Sequence, residues 1–216
     1  MKKLSYLLTL LTLVLVSCGT GSDHFKISGH FLNLNQGEFY VYSTDGGVEG
    51  IDTIKVEGGR FSYEIPCIKP STLMLVFPNF SEQPIFAEPG QSVEIKADAS
   101  HLKEMKVEGT KDNELMNDFR EMTQNSSPPQ TKKLAQQFIT DHADTPVSVY
   151  LVYKYFIQSP TPDYATASKL MAMMRKECRW LHTATFQRCR HQWQFGQLRK
   201  PKPRHSRHQR VGYMEL

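Results

Sequence analysis

Apolar and polar residues alternate along the first half of the chain, and turn-forming residues interrupt the alternation about every ten positions. A period of two is typical of β-strands, and no helical period intervenes between residues 25 and 109. Gly58-Gly59 predicts a tight hairpin, because two-residue turns need the positive φ that glycine adopts easily. The pattern therefore predicts antiparallel β-structure, either a small sandwich or a partly closed barrel. The predicted strands are 25–32, 38–43, 51–56, 60–65, 72–77, 83–87, 92–97 and 105–108.

After Gly109 the apolar residues recur at the spacing of helices. Thr110 and Thr145 are predicted N-caps, and Asp163 precedes the last helix. The methionine and tyrosine residues of the last two helices are interpreted as core packing. The sequence thus predicts an α+β fold, an antiparallel β-sandwich-like domain at 25–109 followed by a helical connector at 110–177. The predicted helices are 110–124, 130–142, 145–158 and one that begins at 163.

The N-terminus has the features of a bacterial lipoprotein signal. Positive charge at Lys2 and Lys3 precedes an apolar stretch at 4–16, which is too short for a permanent membrane span. Cys18 follows Leu-Val-Ser and is the predicted lipidation site and mature N-terminus, which makes 1–17 the signal peptide and 18–24 a tether. An ordinary secretory signal is the alternative. Because Gly19 is not an aspartate that retains lipoproteins at the inner membrane, we expect a lipid anchor in the cell envelope, at the outer membrane.

The charge balance changes sign between Glu177 and Cys178. Residues 1–177 hold 17 Lys and Arg against 21 Asp and Glu, whereas 178–216 hold 9 against one. We interpret 178–216 as a disordered tail translated out of frame. The alternatives are binding to nucleic acid or anionic lipid through basic and aromatic residues, and a zinc site. Nucleic acid is not expected as a partner, because a disordered tail is preferred over a segment that reads bases. Metal is not expected either, because the four zinc-ligand candidates do not have a usual spacing; they are Cys178, His182, Cys189 and His191.

Catalytic chemistry is not predicted. The chain has no C-x-x-C motif, and Cys67 is interpreted as a small buried apolar residue. The run at 141–144, Asp-His-Ala-Asp, is interpreted as a solvated helix end. Three aromatic residues, if exposed, would suit glycan binding, although burial at a period of two explains them equally well; they are Phe39, Tyr40 and Tyr42. We expect no catalytic residue and no cofactor.

Several short motifs carry a family resemblance. They are ISG at 27–29, GIDT at 50–53, GGRFSY at 58–63, IFAEPGQSVEI at 85–95, and VEGT at 107–110 with Asn113. As a set they resemble the DUF4369 domain of lipoproteins from Bacteroidota, over about residues 25–177. The resemblance implies a β-domain, then a helical connector, and often a thioredoxin-like domain of the AhpC/TSA or TlpA type.

The family resemblance also bears on the end of the chain. Read one nucleotide along, 204–215 permits VIAVISVWATWN, which resembles the first strand of such a thioredoxin-like domain without its redox cysteine. We therefore expect a lipid-anchored, non-catalytic β-domain that binds or positions a partner or itself, truncated before its catalytic domain. The alternatives are an envelope thiol-disulfide oxidoreductase when the chain is intact, and a glycan-binding lipoprotein.

Overall fold

Eight strands form one continuous sheet in the computed structural model, which describes residues 21–43 and 45–177. All eight predicted strands are confirmed, with ends that differ by one or two residues at most. In chain order they are β1 His24–Leu32, β2 Gln36–Ser43, β3 Ile51–Glu57, β4 Arg60–Pro66, β5 Ser71–Val76, β6 Glu82–Ala87, β7 Ser92–Asp98 and β8 Lys106–Glu108.

One strand pairing differs from the antiparallel prediction. The sheet has the order β6-β5-β2-β3-β4-β1-β7-β8, and every pair is antiparallel except β1 with β7, which is parallel. Ile27 lies opposite Val93 in that pair. Short turns between consecutive strands favour antiparallel neighbours, but β7 joins β1 across most of the domain, where sequence proximity sets no direction. The α+β class is confirmed, with a mixed sheet rather than a two-sheet sandwich.

The connection between β6 and β7 requires the sheet to curl. These strands stand first and seventh in the sheet, which in a flat sheet would separate them by about 29 Å at about 4.8 Å per strand. The four linking residues, 88–91, reach about 17 Å when extended. Only a curled sheet brings the two ends together, and the Gly90 N–H then donates to the His24 carbonyl at 2.8 Å.

The inside of the curl is filled by a cluster of phenylalanine rings. Phe31 and Phe61 are stacked with centroids 5.2 Å apart, and Phe39 and Phe77 are stacked at 5.3 Å. The two pairs meet edge to face, with Phe39 and Phe61 at 5.0 Å. A Cβ atom added to Gly29 would lie 2.7 Å from the Phe61 ring, so this strand glycine makes room for the cluster.

Four helices follow the sheet. They begin at capping residues: Ser127 and Gln130 form a capping box, and the Thr145 hydroxyl accepts from the Ser148 N–H. The second helix begins two residues earlier than predicted, because Pro128 fits the first helical position. The helices are α1 Lys111–Thr123, α2 Pro128–Asp141, α3 Pro146–Val152, which continues as a π-helical turn at Tyr153–Ile157, and α4 Tyr164–Glu177.

The helices pack on the outside of the curl and form a second core. Met74 of β5 and Phe86 of β6 point outwards and join the buried face of the helices. Strand β5 is therefore buried on both sides, which explains its continuous apolar run, LMLV at 73–76. Tyr150 and Met174 are buried in the same core, which confirms that these tyrosine and methionine positions serve packing.

Both ends of the chain lie outside the described residues. The predicted signal peptide at 1–17, Cys18 with the first part of its tether, and the basic tail at 178–216 are among them. Within 21–43 and 45–177, none of the helices combines the length and apolar character needed to cross a membrane.

Candidate functional site

Helix α1 covers both free edges of the sheet through two asparagines. Asn113 is fully buried: its amide donates to the Phe86 carbonyl at 2.7 Å and its oxygen accepts from the Phe86 N–H at 3.0 Å, on edge strand β6. One helical turn later, Asn117 makes the same two bonds to Val107 of edge strand β8, at 2.8 and 3.0 Å. At each edge a side-chain amide makes the two hydrogen bonds that a neighbouring strand would make. The backbone N–H and C=O groups of Phe86 and Val107 are therefore satisfied.

Arg120 continues the same face of α1 and closes the row. Its Nε donates to Gln83 Oε1 at 3.2 Å, its Nη1 to Asn117 Oδ1 at 3.0 Å, and its Nη2 to the Pro84 carbonyl at 3.4 Å. Only 9% of the residue is exposed, and burial lowers the pKa of its guanidinium to about 10. The three positions 113, 117 and 120 follow the i, i+4, i+7 spacing of one helix face.

Beside Arg120 lies an open groove of about 630 Å³ between the start of β6 and the helices. Its lining includes four cationic residues and a single carboxylate, a formal net charge of +3. The apolar part of the lining includes Met116 and Phe119, which are buried, and the partly exposed Tyr155. The volume falls within the range of about 300 to 1,000 Å³ that ligand sites occupy. The charged lining residues are Lys103, Arg120, Lys132, Lys154 and Glu82.

Aromatic rings hold two of the groove lysines. The Lys132 ammonium lies 5.3 Å from the centre of the Phe156 ring, and the Lys154 ammonium lies 5.4 Å from that of Tyr150. Lys154 also donates to the Tyr150 hydroxyl at 3.0 Å. Burial raises the pKa of the Tyr150 phenol, while the charge of Arg120 acts to lower it, so these groups share one electrostatic environment.

A small acidic pocket lies near the other end of α1. Asp112 lines it beside Glu88, and burial raises the pKa of the Asp112 carboxyl to about 6, with further contributions from the negative charges of Glu88 and Asp144. Lys111 acts in the opposite direction. The folded protein therefore favours the protonated form of the Asp112 carboxyl, whose usual pKa is 3.8.

The resulting stabilisation is fully present below pH 3.8 and is lost as the pH rises through about 6. Asp112→Asn should therefore raise the free energy of unfolding at pH 8 by about 1 kcal/mol, a value reduced for solvent screening of this half-buried group. The gain should vanish at pH 4. Urea denaturation at the two pH values measures it, with Asp118→Asn on the exposed side of α1 expected to change stability by less than about 0.5 kcal/mol. An equal gain at both pH values would contradict the prediction.

Cys67 has the environment expected of a packing residue. It is 4% exposed and its thiol donates to the Lys69 carbonyl at 3.4 Å. Burial raises the pKa of the thiol, and the negative charges of Asp45 and Glu88 raise it further. This environment opposes the thiolate form that a nucleophile needs, and it confirms the interpretation of Cys67 as a small buried apolar residue.

The three aromatic residues considered for glycan binding do not share a surface. Phe39 is 1% exposed and belongs to the phenylalanine cluster inside the curl, so burial at a period of two is the explanation that holds for this residue. Strand alternation points Phe39 inwards and its neighbour Tyr40 outwards, where it is 41% exposed. Tyr42 is half-buried against the helices and donates to Glu82 Oε1 at 3.1 Å.

The run at 141–144 lies where helix α2 ends. The last helical residue is Asp141, and the His142 ring packs on Phe138 with centroids 4.5 Å apart, which confirms that this run is a helix end. In the part of the chain that the structure describes, no three His, Cys, Asp or Glu residues are grouped to hold a metal ion. Cys18 and the zinc-ligand candidates of the tail lie outside the described residues: these are Cys178, His182, Cys189 and His191.

Sequence reasoning missed the row of Asn113, Asn117 and Arg120. Asn113 entered only as part of a family motif, and Asn117 and Arg120 were not singled out. A signal did exist, because polar residues at i, i+4 and i+7 form a stripe directly beside Met116 and Phe119, which are buried. Which backbone groups they bind depends on the closure of the sheet and could not be derived from spacing.

The described residues thus define a class of protein in which a curled mixed sheet is closed by one helix and flanked by a cationic groove. Residues 25–116 carry a DUF4369 domain, a domain of unknown function, so the resemblance is confirmed over this span. The match ends inside α1, after Asn113 and before Arg120. No curated protein and no solved structure matches the chain.

Proposed function

We propose that this protein is a lipid-anchored component of the cell envelope, at the outer membrane, whose β-domain and helical layer bind or position a partner without catalysis. The groove of about 630 Å³ beside α1 is the observation that carries the binding role, because its volume is that of a ligand site and its walls are formed by the start of β6 and by the helices. The lipoprotein signal that ends at Cys18 supports the anchoring.

Replacement of the anchor cysteine tests the location. Cys18→Ser should abolish incorporation of radiolabelled palmitate and move the protein from the membrane fraction to the soluble fraction, because a serine cannot take the thioether-linked lipid. Cys67→Ser is the matched control, since Cys67 is buried in the β-domain core and should leave the label in place. Full labelling of the Cys18→Ser protein would remove lipid anchoring from the proposal.

The positioning role requires association with another protein or with a second copy. Light scattering after size-exclusion chromatography, together with capture from an envelope extract, measures both. A dimer, or one reproducible partner, is the expected result. A strict monomer that captures nothing would argue against an interaction role.

We also propose that the oxidoreductase alternative belongs to an intact form of the gene rather than to this chain. The change in charge balance between Glu177 and Cys178 supports a shift of reading frame at that point. The nucleotide sequence across codon 178 tests this. A downstream thioredoxin-like strand in the second frame is expected, and a single open frame without one would remove the idea.

A further inference from the structure

Arg120 is a buried charge whose hydrogen-bond partners are all neutral. It bonds to the side chains of Gln83 and Asn117 and to the Pro84 carbonyl, and none of the ion pairs found in the described residues includes it. An amide side chain could satisfy neutral acceptors of this kind. Burying a full charge without a counter-charge is unfavourable, so its presence here needs a further reason.

The guanidinium keeps donors for a ligand. It has five N–H groups, and its three bonds within the protein leave one N–H on each terminal nitrogen. Two donors on adjacent nitrogens match the two oxygens of a carboxylate or phosphate. Because Arg120 lines the groove, an anion that enters it can reach these donors.

The other groove cations also lack a carboxylate partner within ion-pair distance among the described residues. Lys132 and Lys154 are held by aromatic rings, and Lys103 is exposed at the rim. Lys132 also acts on Asp163: the Thr166 N–H lowers the pKa of that carboxyl, and the charge of Lys132 adds to the effect.

This positive groove lies on an acidic domain. Residues 21–177 hold 15 Lys and Arg against 21 Asp and Glu, a formal net charge of −6, whereas the groove lining has a net charge of +3. Four of the five charged residues in the lining are cations, although acidic residues outnumber basic ones over residues 21–177. Concentrated charge of one sign in a cleft attracts ligands of the opposite sign.

We propose that the groove binds a small organic anion whose carboxylate or phosphate head lies on Arg120, between Lys132 and Lys154, and whose apolar body lies against Met116, Phe119 and Tyr155. This proposal rests on the binding role proposed above and names its ligand class. Glu82 at the rim disfavours a second negative group at that end of the ligand.

The test is an NMR titration of the full-length protein labelled with ¹³C at its methionine methyls. It follows the methyl signal of Met116, which lines the groove. The probes are phenyl phosphate, benzoate, inorganic phosphate and the uncharged benzyl alcohol, each at up to about 10 mM. We expect saturable shifts of the Met116 signal with phenyl phosphate, with benzoate or with both. The aromatic anion that binds more tightly identifies the preferred head group, phosphate or carboxylate. Benzyl alcohol, and inorganic phosphate without an apolar body, should bind at least about tenfold more weakly.

Two sets of variants assign the binding to the groove. The double variant Lys132→Gln/Lys154→Gln should weaken binding at least about tenfold, as should Arg120→Gln. The matched controls are Lys55→Gln/Lys106→Gln and Arg60→Gln, which remove exposed charges from the sheet and should leave the affinity unchanged. If Arg120→Gln does not fold, the titration of the double variant Lys132→Gln/Lys154→Gln still tests the proposal.

Three outcomes would overturn the proposal: no shift of Met116 with either aromatic anion, equal binding of benzyl alcohol, or an affinity unchanged by the groove variants. The basic tail is present in every variant, so any anion it attracts contributes equally to all of them. A failed titration with normal acylation of Cys18 would remove the ligand class and leave the anchored module. Failed acylation with a normal titration would remove only the anchor.

Discussion

Replacing Asn113 by alanine is expected to lower the free energy of unfolding by about 4 kcal/mol, because three hydrogen bonds are lost and both backbone groups of Phe86 become buried without a partner. The amide also donates to the Thr110 hydroxyl at 2.7 Å, which fixes the start of α1. Urea denaturation of the purified protein measures the change.

The matched control is Asn125→Ala, which changes the same residue type at an exposed position after α1 and should cost less than about 0.5 kcal/mol. Asn113→Asp separates the two bonds to Phe86. Its carboxylate can accept from the N–H but cannot donate to the carbonyl, so this variant should be unstable at pH 7 and recover in part when protonated. A loss below about 1 kcal/mol in Asn113→Ala would show that water replaces the amide at the sheet edge.

Phe39→Ala is the second large effect. The side chain is 1% exposed and contacts three other rings, with centroids 5.0 to 5.7 Å away. Its removal leaves a cavity in the middle of the curl, which a closed sheet cannot collapse to fill. We expect a loss of about 4 kcal/mol in the free energy of unfolding, by urea denaturation.

The neighbouring residue provides the control. Tyr40→Ala removes a side chain of similar size from the outer face, where 41% of the residue is exposed, and should cost about 1 kcal/mol or less. The contrast between adjacent aromatic residues tests the alternation along β2 directly. Similar losses for both variants would contradict the placement of Phe39 inside the curl.

The row of three residues on α1 connects the closure of the sheet with the groove. Asn117 Oδ1 accepts from both the Val107 N–H and Arg120 Nη1, at 3.0 Å each. Arg120 is therefore held in place by a residue that also binds edge strand β8. An anion on Arg120 would reinforce the contact between α1 and the sheet, so a ligand should stabilise the folded protein in proportion to its affinity.

Local patterns in the sequence were sufficient for the elements themselves. The hairpin at Gly58-Gly59 is confirmed, with φ values of 59° and 75°, because the conformation depends only on the two residues involved. The helix starts at Thr145 and Asp163 are confirmed for the same reason, since the Ser148 N–H and the Thr166 N–H donate to these side chains within one turn. The start at Thr110 is also confirmed, although the Thr110 side chain makes no capping hydrogen bond. The π-helical turn at Tyr153–Ile157 was missed, since the sequence pattern there predicts a continuous helix.

The sequence by itself determined the eight strands, the four helices, the α+β class and the burial of Cys67, because the period of the apolar residues and the turn residues act over a few positions. Only the tertiary structure decided that β7 lies parallel to β1, that the sheet curls, and that Asn113, Asn117 and Arg120 face its two edges. These features depend on contacts between residues distant in the chain, such as Arg120 with Gln83. A local pattern determines which face of a helix or strand is buried. Contacts between residues distant in the chain determine which other element packs on that face.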